Sequence, residues 1–207
     1  MLDIGTGLLF RIPALLITIT VHEYAHGAVS FELGDPTPKL EGRLTMNPLA
    51  HLDPIGALML VFVGFGWAKP VGINPSYYRN PRKDIMKVAF AGPGSNLLLC
   101  FMATLLIFIM AQLGVRSSGV RQFLYWLQMY NVWFAFFNLV PIPPLDGSKI
   151  LLELLPGEMA YKYESSIAPY SMYILIALCI TGIISIVVAP FATAYLSIVY
   201  GLLNIIF

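Results

Sequence analysis

Several apolar runs in this chain are too long for the core of a soluble domain. From Ile85 to Leu113 the only charged residue is Lys87. Comparable runs cover about Gly5 to Leu33, Phe123 to Val140, Tyr170 to Val188 and Phe191 to Phe207. Each approaches the ~20 residues that cross about 30 Å of hydrocarbon. Charged residues make up 11% of the 207 and hydrophobic residues 58%. A soluble domain carries about 25% charged residues, so this chain has too few to coat a water-exposed surface. The fold class expected is an all-α polytopic membrane protein, a bundle of about five to six transmembrane helices in a lipid bilayer. Twelve Lys and Arg against eleven Asp and Glu give no basic excess for a nucleic-acid partner. Cys100 and Cys179 both lie in apolar runs, which predicts free thiols rather than a disulfide framework. No cleavable leader is expected, because the first apolar run passes into HEYAH without a small-residue cleavage pattern. The chain reads as a single domain over 1–207, with a core of about 5–155 and a C-terminal helical pair of about 170–207 split at Pro190.

Ile55 to Gly66 (IGALMLVFVGFG) is short for a span and carries three glycines. Apolar runs of this length are more often re-entrant or interfacial. If it does not cross, Lys39, Arg43, Lys69, Arg79, Arg82, Lys83, Lys87, Lys149 and Lys162 share one face, and Arg116 and Arg121 lie on the other. The positive-inside rule then predicts a re-entrant segment, an outside N-terminus and an inside C-terminus. The flanking stretches Arg43–Pro48 and Trp67–Pro75, rich in Pro, Asn and β-formers, predict short membrane-embedded β-strands ended by prolines. Irregular backbone at membrane depth must be covered by protein or line a cavity.

All three histidines lie between residues 22 and 51. His22 and His26, in HEYAH, stand four apart and share a helix face, so both imidazoles can reach one ion. Glu23 sits beside the first of them, the zincin pattern of two ligands and a general base. Three ionisable residues inside an apolar helix are costly and point to function.

A catalytic zinc needs a third protein ligand and an open position. Of the eleven acidic residues, Asp3, Asp35 and Asp84 read as span-end charges. Glu32 and Glu41 lie at or past the helix end, and Glu153, Glu158 and Glu164 in a polar connector. Asp53 and Asp146 are left. Asp146 follows a long apolar span in NLVPIPPLDGSKI, where Pro141, Pro143 and Pro144 break the helix and Gly147 permits a sharp turn. The alternative for Asp146 is an N-cap for the helix that follows.

HEYAH in the first span, AGPGSN in the second and NLVPIPPLDG after the third together resemble the site-2 protease family of intramembrane zinc metalloproteases. The resemblance covers about residues 15 to 155. NPLAHLDPIG followed by GWAKPV resembles a compact subgroup of that family without a PDZ-like insertion. It implies one Zn2+ per chain held by His22, His26 and Asp146, with Glu23 as base. It also implies hydrolysis of peptide bonds in or next to transmembrane segments of a membrane-protein substrate, and regulation by a prior cut. The site is expected nearer the cytoplasmic face of the cell membrane, because HEYAH lies late in the first span and Asp146 follows a span running the same way.

Asn138 is an oxyanion-donor candidate, or else a side chain that satisfies the broken helix. His51 and Asp53 read as partners of the zinc histidines or an alternative ligand set, or else as a polar turn capping the helix that Pro54 starts. Trp67, Ala68, Lys69, Pro70 and Val71 are expected to hold an extended substrate by β-addition. Gly92, Gly94, Ser95 and Asn96 read as helix-packing residues. A metal transporter and a noncatalytic zinc-binding scaffold are the alternatives. No repeated ligand set favours the transporter. The oligomeric state is not encoded in any pattern found.

Overall fold

A computed structural model describes residues 4–56 and 68–207, with side chains from residue 8 onward. The core of the predicted re-entrant segment, and Trp67 with it, lies outside the described residues. Eight α-helices are described: α1 (Ile4–Glu32), α2 (Thr37–Leu40), α3 (Pro81–Gln112), α4 (Ser118–Asn138), α5 (Asp146–Leu154), α6 (Gly157–Ile167), α7 (Ser171–Ile180) and α8 (Ile183–Ile206). Four stretches are long and apolar enough to cross a membrane: Leu8–Glu32, Pro81–Gln112, Gly157–Ile180 and Ile183–Ile206. The all-α polytopic class is what these helices form. α4 is more polar, with Arg121, Gln128 and Asn131, and packs against α1, α3 and α8.

The ends of these helices follow from local chemistry. α1 stops at Gly34, whose φ of 105° only glycine adopts without strain. Gly34 N–H donates to Phe31 O and Asp35 N–H to Ser30 O, the paired bonds of a Schellman motif. α3 begins at Pro81 after Asn80, whose side chain accepts from Lys83 N–H while Asp84 accepts from Asn80 N–H. These reciprocal bonds satisfy donors that a helix start leaves free.

α1, α3 and α4 form the centre, joined through Ala14, Ala103, Leu124 and Leu127. α8 closes on α3 and α4 through Cys100, Val132 and Ala192. Small residues at these crossings let the helix backbones approach closely, as apolar surroundings require. Cys100 and Cys179 are free.

Two expectations are corrected. The C-terminal pair divides at Thr181–Gly182, where Gly182 takes φ 74°, and Pro190 lies inside α8. A proline costs a helix one hydrogen bond and need not end it in a membrane bundle, whereas a left-handed glycine turns the chain. The Pro- and Asn-rich stretches form no strand among the described residues; a single antiparallel bridge joins Leu52 and Ala68. Side chains take the backbone donors that a strand partner would have used. Val71 N–H donates to Glu23 (3.0 Å), Gly72 N–H to Glu41 (3.3 Å) and Asn74 N–H to Asp35 (2.7 Å). Pro70 has no N–H, and its carbonyl accepts from Arg43 (2.9 Å).

Candidate metal centre

His22 and His26 project from one face of α1 towards α3. There they meet Val88, Gly92 and Asn96, which are spaced four apart and share a helix face. His26 Nδ1 lies 2.6 Å from the Val88 carbonyl, and His22 Nδ1 lies 2.6 Å from Asn96 Oδ1. A carbonyl oxygen can only accept, so both rings carry their proton on Nδ1. In the neutral rings each Nε2 is then a lone pair. The two Nε2 atoms stand 3.0 Å apart, and Asp146 Oδ2 lies 3.2 Å from His22 Nε2 and 3.0 Å from His26 Nε2. Lys149 Nζ donates to the other oxygen, Oδ1, at 3.1 Å, leaving Oδ2 for the histidines.

Three acceptors converging in a buried place repel one another unless a cation lies among them. Their separations of 3.0–3.2 Å compare with about 3.3 Å between donors that share one tetrahedral zinc. Two imidazoles and a carboxylate are also a donor set that zinc accepts. The residues present therefore fit the metal.

Two glycines make this approach possible. A Cβ on Gly92 would lie 2.6–2.7 Å from Cε1 and Nε2 of His22 and would collide with the His26 ring too. A Cβ on Gly147 would run into the Leu139 backbone and the Val140 carbonyl (2.7 Å), so only glycine lets α5 start where it carries Asp146 to the histidines. The Phe134 ring packs edge-on against His22, with centroids 4.8 Å apart.

His22, Glu23, His26, Asn138 and Asp146 border one cavity of about 90 Å³, with Pro70 and Val71 on its wall. Glu23 is buried, and its Oε2 accepts from Val71 N–H. Asn138 donates one amide hydrogen to Phe134 O (2.9 Å), its one side-chain hydrogen bond among the described residues.

His51 and Asp53 are placed otherwise. His51 is fully buried and donates from Nε2 to Thr45 O (2.9 Å). Asp53 accepts from Gly56 N–H (2.8 Å), capping the turn that begins at Pro54. The clustered His and carboxylate ligand atoms among the described residues are those of His22, His26 and Asp146. Ala68 pairs with Leu52, and Lys69 N–H donates to His51 O (2.9 Å).

Asp35 stands at the end of α1 but is not a solvated charge. It is fully buried and accepts from Ser30, Thr37 and Asn74. Burial pushes its carboxyl up, but the hydrogen bonds from Thr37, Asn74 and Ser30 together outweigh that and hold its pKa below the ordinary carboxylate value.

The profile of peptidase family M50 matches residues 106–182, which include the Asp146 motif. The chain is 37% identical over 191 residues to "Putative zinc metalloprotease YwhC" of Bacillus subtilis, covering 89% of this chain and 86% of that protein. The chain belongs to peptidase family M50. It is an intramembrane zinc metalloendopeptidase of the site-2 protease type, a multi-pass membrane protein whose cofactor is Zn2+. It is also 29% identical over 178 residues to "Putative zinc metalloprotease Rip2" of Mycobacterium tuberculosis, covering 82% of this chain and 64% of that protein. No solved structure matches the chain.

Proposed function

We propose that His22, His26 and Asp146 hold the zinc, that Glu23 is the general base, and that the substrate is a segment of another membrane protein. The observation that carries this reading is the convergence of Nε2, Nε2 and Oδ2 with both Nδ1 protons already committed. Bound zinc supplies Lewis acidity, polarising a carbonyl and making water more acidic. Glu23 Oε2 takes the proton of the attacking water and returns it to the nitrogen of the departing amide. Asn138, which borders the same cavity, donates to the oxygen that becomes negative during attack. A transporter would need a path for the metal rather than a base beside it, and the family assignment favours the protease.

A helical substrate must unwind first, because its carbonyls are held in internal hydrogen bonds. The cavity of about 90 Å³ holds water readily but is small for a peptide segment. We therefore assign substrate contact to residues 67–71, with Val71 N–H leaving Glu23 when the peptide enters, and peptide and chain pairing as extended backbones.

α1 and α3 pack antiparallel, since His22 meets Asn96 and His26 meets Val88. Residues 33–80 then begin and end on the same face, which supports the re-entrant reading of 55–66. With the basic residues on that face, the site lies nearer the cytoplasm. The whole chain acts as one peptidase domain, its core at about 5–155 and the C-terminal pair packed beside it.

Glu23→Gln tests the base. The expected variant binds zinc like the wild type and cleaves a transmembrane reporter at least about 1000-fold more slowly, within the span general-base removal produces. Cleavage at the wild-type rate would remove Glu23 from the mechanism.

A further inference from the structure

His22 lies at one end of a buried polar chain that crosses three helices of the bundle. Asn96 Oδ1 accepts from His22 Nδ1 (2.6 Å), and its Nδ2 donates to Thr18 O (3.0 Å) and to Asn131 Oδ1 (2.7 Å). Asn131 Nδ2 donates to Thr18 Oγ1 (2.9 Å) and Leu127 O (2.8 Å), and Thr18 Oγ1 donates to Ala14 O (2.8 Å). Thr18, Asn96 and Asn131 are all 0% exposed. Every bond in this chain has one permitted direction. Thr18 and Leu127 carbonyls accept only, so both amides must turn their NH2 groups towards them. The Asn96 oxygen is then forced towards His22, and it cannot donate.

We propose that Asn96, with Asn131 and Thr18 locking its amide, is a positioning residue that sets the tautomer and ring orientation of His22 for zinc. The inference rests on the metal reading above. A free asparagine can offer His22 either its oxygen or its NH2 group, and the NH2 group would favour the wrong ring proton. The relay removes that choice before any metal arrives. Orienting partners of this kind affect metal affinity by about 10- to 100-fold.

The test uses the full chain in detergent or nanodiscs and two readouts. The first is zinc affinity by chelator competition. The second is the 15N spectrum of histidine-labelled, metal-free protein, tractable because the chain has 3 His. Asn96→Leu is expected to bind zinc about 10- to 100-fold more weakly and to show His22 as a mixture of tautomers. Asn96→Asp keeps an acceptor towards His22. Its second oxygen then faces the Thr18 and Asn131 oxygens, so it is expected to lower stability while keeping the Nδ1–H form of His22 and binding zinc more tightly than Asn96→Leu. Asn131→Leu leaves Asn96 one directing bond and is expected to fall between them. It also serves as the test variant if Asn96→Leu does not fold.

A residue of purely structural importance would lower the thermal midpoint of all three variants and leave the His22 signal unmoved. That result, or equal losses in Asn96→Leu and Asn96→Asp, overturns the proposal. Wild-type protein that takes up no zinc overturns the metal reading instead, and the tautomer of His22 still decides whether the relay exists.

Discussion

The helix-borne half of the site and its loop-borne half are built by opposite means. His22, His26, Val88, Gly92, Asn96 and Asn131 sit on three long helices whose backbone donors are satisfied within each helix. Their side chains are free to bond one another and to aim the histidines. In residues 70–74 the backbone groups have no such partner, and Glu23, Glu41, Asp35 and Arg43 bond them from elsewhere. One half is rigid because helices pack. The other is held by a few side-chain bonds, and one of them comes from Glu23 itself. The segment proposed to admit substrate is thus tied by single side-chain bonds, whereas the residues proposed to hold zinc stand on helices.

The helix half breaks most sharply at Gly92. On an exposed helix Gly→Ala stabilises by about 1 kcal/mol. Here the added methyl meets the His22 and His26 rings, and overpacking costs about 1–3 kcal/mol. Gly92→Ala is expected to lose measurable zinc binding in a chelator titration. Gly94→Ala, on the same helix with nothing within 4 Å, is expected to bind zinc normally.

The loop half breaks at Asp35, with a smaller effect on the metal. Asp35→Ala removes acceptors from Ser30, Thr37 and Asn74 and is expected to cost about 2–3 kcal/mol of stability in thermal unfolding, with zinc retained. The pH dependence follows the lowered pKa of Asp35. Its contribution is present above the unfolded carboxyl value of about 3.9 and is lost as pH falls through the lower folded value. Hydrogen exchange at the Asn74 amide is expected to rise on that acid side in wild type and to lack the step in Asp35→Ala.

Glu41 marks the weak end. Its side chain is 45% exposed, with Arg43 at 4.0 Å and Gly72 N–H at 3.3 Å. Glu41→Ala is expected to change stability by less than about 1 kcal/mol, as read from the same unfolding curves.

The same contrast explains what could be read from sequence. Helices announce themselves by long apolar runs; HEYAH stands out because ionisable residues are rare in such runs, and Asp146 because few acidic residues remain and it follows a run that prolines break. Asn96 carries a visible signal, a buried amide one helix turn from Gly92, but it looks like ordinary packing until His22 is seen against it. Asn131 and Thr18 carry less, since either could simply bond its own helix. The Val88 carbonyl carries none, because every residue has one. Gly92 reads as a packing glycine, and what packs against it is the pair of histidines. Prolines and asparagines in 67–75 marked extended chain but not its partners, which are carboxylates about thirty to fifty residues away. Pro190 is the more conspicuous breaker in the sequence, but a proline within an apolar helix bends it while the left-handed Gly182 turns it.

Zinc stoichiometry of the purified wild type, Asp146→Ala and Asp53→Ala tests the central assignment most directly. About one zinc in wild type and Asp53→Ala, with none in Asp146→Ala, is the result expected from three converging donors at His22, His26 and Asp146. Zinc kept by Asp146→Ala and lost by Asp53→Ala would contradict it and move the third ligand to Asp53.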